Sequence, residues 1–185
     1  MERPASMVFK AGFFQEAAAG DLVLTRGRHW RSRAVQAMDP GKGFTHIGIL
    51  AEAEGRLWVV HASPDAGVAR VQIESLSDFL ENPQLEALQV RRFLPRVGPR
   101  AEAAAEAALE MGRRGLPFDG HFDLDSEETV YCSELIWRAY KASGVDLLDG
   151  IDWQERVPLL KPPLLMPSTF SKHPQFATVL DLTQP

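Results

Sequence analysis

The chain has 185 residues, of which 45% are hydrophobic and 24% are charged, a composition typical of one folded domain. A net charge of −5, without a block of Lys and Arg, argues against a nucleic-acid partner. The single cysteine excludes an intramolecular disulfide, and no run approaches the roughly 18 apolar residues that a transmembrane helix needs. Residues 1–20 lack the pattern of a secretion signal, so we expect a cytoplasmic protein, although a chain that had lost its signal would look the same.

The first half of the chain predicts a series of β-strands. An N-terminal arm over residues 1–19 precedes them, and residues 31–38 have the pattern of a short helix. Apolar and β-branched residues predict strands at Leu22–Thr25, Phe44–Leu50, Leu57–Ala62, Val68–Ile73 and Ala87–Phe93, with a short helix at Leu76–Leu80. A short turn at Glu52–Gly55 makes the second and third of these strands antiparallel neighbours.

The second half of the chain predicts two longer helices and a tail. Pro99 opens an alanine-rich helix over Arg100–Arg114, and Gly115 ends it. A second helix begins at Cys132 and ends at Gly144. Strands followed by helices indicate an α+β fold, in which the helices pack against an antiparallel sheet, and we expect one domain over residues 1–185.

The last segment, residues 157–185, is rich in proline and has no strong periodicity. It therefore predicts an extended tail on the surface. Its most apolar side chains are its expected docking points: Phe170, Phe176 and Val179.

Cys132 is the first candidate for chemistry. The apolar residues Leu135, Ile136, Ala139 and Tyr140 follow it at helical spacing, so Cys132 begins the buried stripe of an amphipathic helix. A thiol in the first turn lies near unpaired N–H groups and the positive end of the helix dipole, and both favour the nucleophilic thiolate. The alternative is that Cys132 is a small buried hydrophobic residue, as a free cysteine often is.

Two histidines could supply the base that such a thiol needs. His46 and His61 lie inside neighbouring apolar strands, which can present both rings on one face of the sheet. A buried histidine with a satisfied hydrogen bond is the plainer interpretation of either one alone. Of the others, His29 and His173 are expected to be solvated surface residues, and His121 a neighbour of the site.

Metal and nucleotide cofactors have little support in the sequence. His46, His61 and Cys132 could together bind one zinc ion, but neither H-x-x-x-H nor C-x-x-C occurs. No glycine-rich phosphate-binding loop is present either. We therefore predict no cofactor.

Four segments together resemble the permuted NlpC-type papain-like cysteine hydrolases of the YiiX and YebB kind. They are Gly20–Leu24, Thr45–Ile49, Val59–Ala62 and Tyr131–Leu135. The resemblance covers about residues 20–145. The strand with the first histidine precedes the cysteine helix, as in the permuted group, whereas ordinary papain-like enzymes have the reverse order. The resemblance implies a papain-like α+β fold with the nucleophile at a helix N-terminus.

The resemblance also implies a role for each site residue. Cys132 would be the nucleophile, and His46 the general base and then the acid. His61 stands where the family often has a carboxylate, and would orient His46. The oxyanion would be held by the Cys132 N–H and the Tyr131 hydroxyl, whereas Asp119 would shape the pocket.

The predicted function is a cysteine amidase or peptidase. It would cleave an amide bond in a peptide or cell-wall-type substrate through a thioacyl-enzyme intermediate. One alternative is an acyltransferase of the lecithin retinol acyltransferase type that acts on lipid-like substrates. Another is a binding module that kept the fold and lost the reaction.

Overall fold

The computed structural model describes residues 16–27, 43–64, 67–94, 98–153 and 163–183. The strands are β1 (Leu22–Gly27), β2 (His46–Ala53), β3 (Arg56–Ser63), β4 (Arg70–Ser75), β5 (Leu85–Phe93) and β6 (Phe176–Leu182). The helices are α1 (Leu76–Leu80), α2 (Gly98–Arg113), α3 (Cys132–Ala142) and α4 (Pro167–Ser171). The predicted helix at 31–38, residue His29 and most of the N-terminal arm lie outside the described residues.

The strands form one antiparallel sheet in the order β4-β3-β2-β1-β5-β6. Alternate residues of each strand face opposite sides, because successive side chains of a strand point to opposite faces. The larger core lies on the side covered by α2 and α3 and includes Leu24, Ile47 and Val60. A smaller cluster on the other side joins Leu50 and Val59 to α1. The predicted α+β class is confirmed.

His46 and His61 lie at the ends of β2 and β3 where the pairing between these two strands has stopped. Among the described residues, the β2–β3 pairing runs from Ile49 opposite Val60 to Ala53 opposite Arg56. His46 therefore pairs only on its other side, with Thr25 of β1. This end of β2 lies next to the start of α3, as the contacts of Cys132 show below.

Gly48 allows β3 to approach β2 closely at this point. A Cβ atom on Gly48 would lie 2.7 Å from Val59 Cγ1, 3.1 Å from the Val60 carbonyl oxygen and 3.2 Å from His61 Cβ. These distances are shorter than ordinary van der Waals contact. A residue without a side chain at position 48 is thus required for His61 to take its position.

The C-terminal segment is more regular than its composition predicts. Instead of a wholly extended tail, it contains α4 and the edge strand β6, which pairs antiparallel with β5. The predicted docking points are correct for Phe170 and Phe176, which are buried, and Val179 packs on the smaller cluster. Strand pairing with β5, which no local pattern of a proline-rich segment reveals, decides this structure.

His173 was predicted to be a solvated surface residue, and this prediction is wrong. It is 2% exposed. Its Nε2 donates to the Leu147 carbonyl at 2.7 Å, and its Nδ1 accepts from the Gln175 N–H at 3.2 Å. Burial lowers the pKa of His173, so it is a neutral structural residue that ties the C-terminal segment to the loop after α3.

Within the described ranges, no helix has the length and apolar composition that crossing a membrane requires.

Candidate active site

Cys132 is the first residue of α3, as the apolar spacing predicted. The preceding residue, Tyr131, has extended backbone angles, and its N–H donates to Glu134 Oε2 at 3.2 Å. Arg138 pairs with the other oxygen of Glu134 at 2.6 Å. Burial raises the pKa of Glu134 to about 7 in spite of this ion pair. The first turn is thus fixed from within the helix.

The helix is anchored by its apolar stripe. Leu135, Ile136, Ala139 and Tyr140 are fully buried against the sheet, and the Tyr140 hydroxyl donates to the Gly20 carbonyl at 2.8 Å. Cys132 itself remains partly exposed. The residue is therefore held in place by the packing of α3, while part of it remains exposed.

The thiol lies beside the backbone of β2. The N–H groups of Ile47, Ser133 and Cys132 itself, together with the Ser133 hydroxyl at 4.0 Å from the sulfur, favour the thiolate and act to lower its pKa. Burial outweighs them and raises the pKa of Cys132 above its ordinary value. The expected N–H groups are thus present, but the net shift is opposite to the one that the helix dipole alone predicts. Ile47 follows His46 directly along β2, so the thiol contacts the strand that carries the predicted base.

His46 and His61 contact each other, as their positions on neighbouring strands predicted. His46 Nε2 lies 2.9 Å from His61 Nδ1, within hydrogen-bond distance. The rings are nearly perpendicular, with an interplanar angle of 83° and centroids 5.0 Å apart. Both side chains point to the α1 side of the sheet, the side that Leu50 and Val59 also face.

A carboxylate outside the predicted set of site residues lies next to the second ring nitrogen of His61. Glu74 Oε2 is 3.3 Å from His61 Nε2. Gln72 of β4 pairs with His61, so Glu74 is the diagonal neighbour two residues further along the strand. The alternation of the polar residues Gln72 and Glu74 indicates that both lie on one face of β4, but the predicted strand ends at Ile73 and so leaves Glu74 out.

Phe79 of α1 covers the two histidines and was also missed. Its ring centroid is 5.2 Å from that of His61 and 6.4 Å from that of His46. Burial, followed by the repulsion of His61, lowers the pKa of His46 to about 3. His46 is therefore a neutral imidazole near pH 7, the form in which it can accept a proton.

Tyr131 and Asp119 occupy supporting positions. The Tyr131 hydroxyl oxygen accepts a hydrogen bond from the Leu165 N–H at 3.1 Å, which ties the residue before the thiol to the C-terminal segment. The buried carboxylate of Asp119 accepts from the N–H groups of His121 and Asp123 at 2.7 Å and 2.5 Å. Asp119 thus holds the turn of the loop that leads to α3. The side chain of His121 is exposed.

The described residues contain no group of three or more His, Cys, Asp and Glu side chains arranged to hold a metal ion.

Comparisons with known proteins show the family and the fold of the chain. Residues 16–179 match the family described as permuted papain-like amidase enzyme, YaeF/YiiX, C92 family. A similar solved structure is the crystal structure of the metalloprotein YiiX from Escherichia coli O157:H7. It aligns with a TM-score of 0.68 and 22% identity over 88% of this chain and 96% of that one, which shows a shared fold. A comparison with curated proteins finds no match.

Proposed function

Because the chain belongs to the permuted papain-like amidase family, we propose that it cleaves an amide bond with Cys132 as nucleophile and His46 as base. The observation that carries this proposal is the His46–His61 contact of 2.9 Å, located one residue from the N–H that contacts the thiol. A nucleophile, a base and a group that orients the base are the parts that acyl transfer requires.

The reaction starts from a neutral pair. The thiol is protonated because burial raises the pKa of Cys132, and His46 is unprotonated because burial lowers its pKa to about 3. As the sulfur attacks the carbonyl carbon, the thiol proton moves to His46, and the C=O π electrons move onto the oxygen. His46 Nε2 is engaged with His61, so Nδ1 is the nitrogen that accepts this proton.

The products then leave in two steps. His46 returns its proton to the amine nitrogen as the carbon–nitrogen bond breaks, which leaves an acyl group on the Cys132 sulfur. Water then attacks this thioester with His46 as base, releasing the carboxylic acid and the thiol. The Cys132 N–H, one of the N–H groups that a helix start leaves unpaired, stabilises the oxyanion of both tetrahedral intermediates, and Tyr131 is a second candidate donor.

The proposed substrate is a peptide or a cell-wall-type peptide. Phe122 packs edge-to-face on Tyr131 with centroids 5.2 Å apart, and Phe118 packs on Phe122 at 6.3 Å. The rings of Phe118 and Phe122 are partly exposed and form an apolar surface beside Tyr131, the residue before the proposed nucleophile. They support a substrate with an apolar group next to the scissile amide.

The test is turnover of a panel of short peptides and N-acyl amides, followed by mass spectrometry of the quenched enzyme. Wild type should release the amine and carry the acyl mass on the peptide that contains Cys132, whereas Cys132→Ala should do neither and remain folded. Turnover by Cys132→Ala contradicts the proposal. If wild type instead transfers acyl chains from phospholipid vesicles and leaves all amides intact, the enzyme is an acyltransferase.

A further inference from the structure

The buried Nε2 of His61 faces the carboxylate of Glu74. Among the described residues it has no hydrogen-bond partner with ideal geometry, although Glu74 Oε2 lies 3.3 Å away. The His61 side chain is 8% exposed and that of Glu74 is 38% exposed. A half-exposed glutamate has the freedom to close the last few tenths of an ångström, and an unpaired buried N–H is costly, so this contact should tighten in solution.

The orientation of this contact fixes which nitrogen of His61 carries the proton. A carboxylate only accepts hydrogen bonds, so it favours the His61 tautomer with the proton on Nε2. His61 Nδ1 is then an acceptor. Because Nδ1 lies 2.9 Å from His46 Nε2, His46 must donate from Nε2. The lone pair of His46 is left on Nδ1.

We propose that Glu74 is a positioning residue that sets the tautomers of His61 and His46 and so places the basic lone pair of His46 on Nδ1. The carboxylate comes from β4, the strand next to the one that carries His61. Glu74 does not touch the substrate or the thiol. It acts through His61, and this catalytic consequence rests on the proposed function.

The alternative tautomer shows why the effect is functional. If His61 carried its proton on Nδ1, it would donate to His46 Nε2, and the His46 proton would move to Nδ1. The nitrogen required as base would then already be protonated. The groups packed against His61 are His46 from β2, Glu74 from β4 and the uncharged ring of Phe79 from α1, so Glu74 is the negative charge among them.

The first measurement is independent of catalysis. Long-range proton–nitrogen NMR spectra of the histidine rings distinguish the two tautomers, and His61→Gln and His46→Gln spectra assign the signals. Wild type should show both rings protonated on Nε2 at pH 7. Glu74→Ala should shift His61 toward a mixture of tautomers, and Glu74→Gln, whose amide oxygen can still accept, should retain most of the wild-type form.

The second measurement is kinetic. Glu74→Ala should lower kcat roughly tenfold with little change in KM, because the substrate does not contact Glu74, and this loss is of the size of one hydrogen bond to a charged group. Glu74→Gln should keep most of the activity. The matched control is Glu52→Gln, which removes an exposed carboxylate from the same sheet six residues along β2 from His46 and should leave kcat unchanged.

The two proposals fail in different ways. A Glu74→Ala variant with the wild-type His61 tautomer and wild-type kcat overturns the role of Glu74. A wild-type protein that cleaves no amide overturns the proposed function, while the NMR comparison still decides whether Glu74 sets the tautomers. If Glu74→Ala lowers the melting temperature and kcat but leaves the tautomers unchanged, the substitution has caused a structural defect. This outcome also overturns the positioning role.

Discussion

Gly48 gives the sharpest prediction about how the fold builds the site. In Gly48→Ala, the new methyl group would lie 2.7 Å from Val59 Cγ1, about 1 Å closer than ordinary carbon–carbon contact. Val59 is fully buried and β-branched, so its side chain cannot rotate away without strain. Overpacking of this kind costs about 1–3 kcal/mol, and the higher strand propensity of alanine offsets roughly 0.5–1 kcal/mol.

The net expectation is a loss of about 1–2 kcal/mol in the free energy of unfolding, which corresponds to a decrease in Tm of roughly 2–8 °C for a domain of this size. The activity should fall more than the stability suggests, because the methyl group also approaches His61 Cβ at 3.2 Å and displaces this ring from His46. We would measure urea unfolding, Tm and kcat. Gly120→Ala is the matched stability control, since a Cβ there has no atom within 4 Å.

Two outcomes would refute the reasoning. If Gly48→Ala unfolds at the same urea concentration as wild type, the close approach of β3 is not a packing constraint. If it is destabilised but retains full kcat, the position of His61 does not depend on the glycine.

Three further predictions address the site and the C-terminal segment. Iodoacetamide should label Cys132 slowly at pH 7, and the pH midpoint of labelling should lie above that of an ordinary thiol because burial raises the pKa of Cys132. His46→Ala should slow labelling further. Fast labelling below pH 7 would contradict the neutral pair of thiol and imidazole. Phe79→Ala should hydrate His46 and raise its pKa from about 3 toward about 6.5, so that the acid limb of the pH–rate profile moves to higher pH. An acid limb that does not move would show that Phe79 does not keep water from the His46 ring. Phe176→Ala should cost about 3–5 kcal/mol in the free energy of unfolding, because the ring is 3% exposed and packs on Phe93 and Tyr140. A denaturation midpoint like that of wild type would show that β6 adds little stability.

The parts of the site that the sequence predicted are those encoded by short-range patterns. The helical spacing after Cys132 located α3, and the turn between β2 and β3 placed His46 next to His61. The helical period determines which side chains share a face of α3, and the short turn determines which side chains of β2 and β3 lie side by side. A single sequence is sufficient for such inferences.

The parts that it did not predict depend on packing between distant segments. Phe79 reaches the histidines because α1 folds back under the sheet, and β6 is a strand because β5 offers a free edge. The pKa of Cys132 is raised by burial, which the dipole of α3 does not reveal. Glu74 was within reach of the alternation argument, but its contact with His61 depends on the register between β3 and β4.

The separation of the proposed base from the proposed nucleophile along the chain has a consequence for dynamics. His46, His61 and Glu74 lie on consecutive antiparallel strands within residues 46–74, so local pairing alone can assemble them early in folding. Cys132 reaches the backbone of β2 only when α3 docks on the sheet. A partial opening that releases α3 would therefore separate the proposed nucleophile from the histidine pair, which would itself remain intact. Hydrogen exchange should show these two parts opening with different free energies.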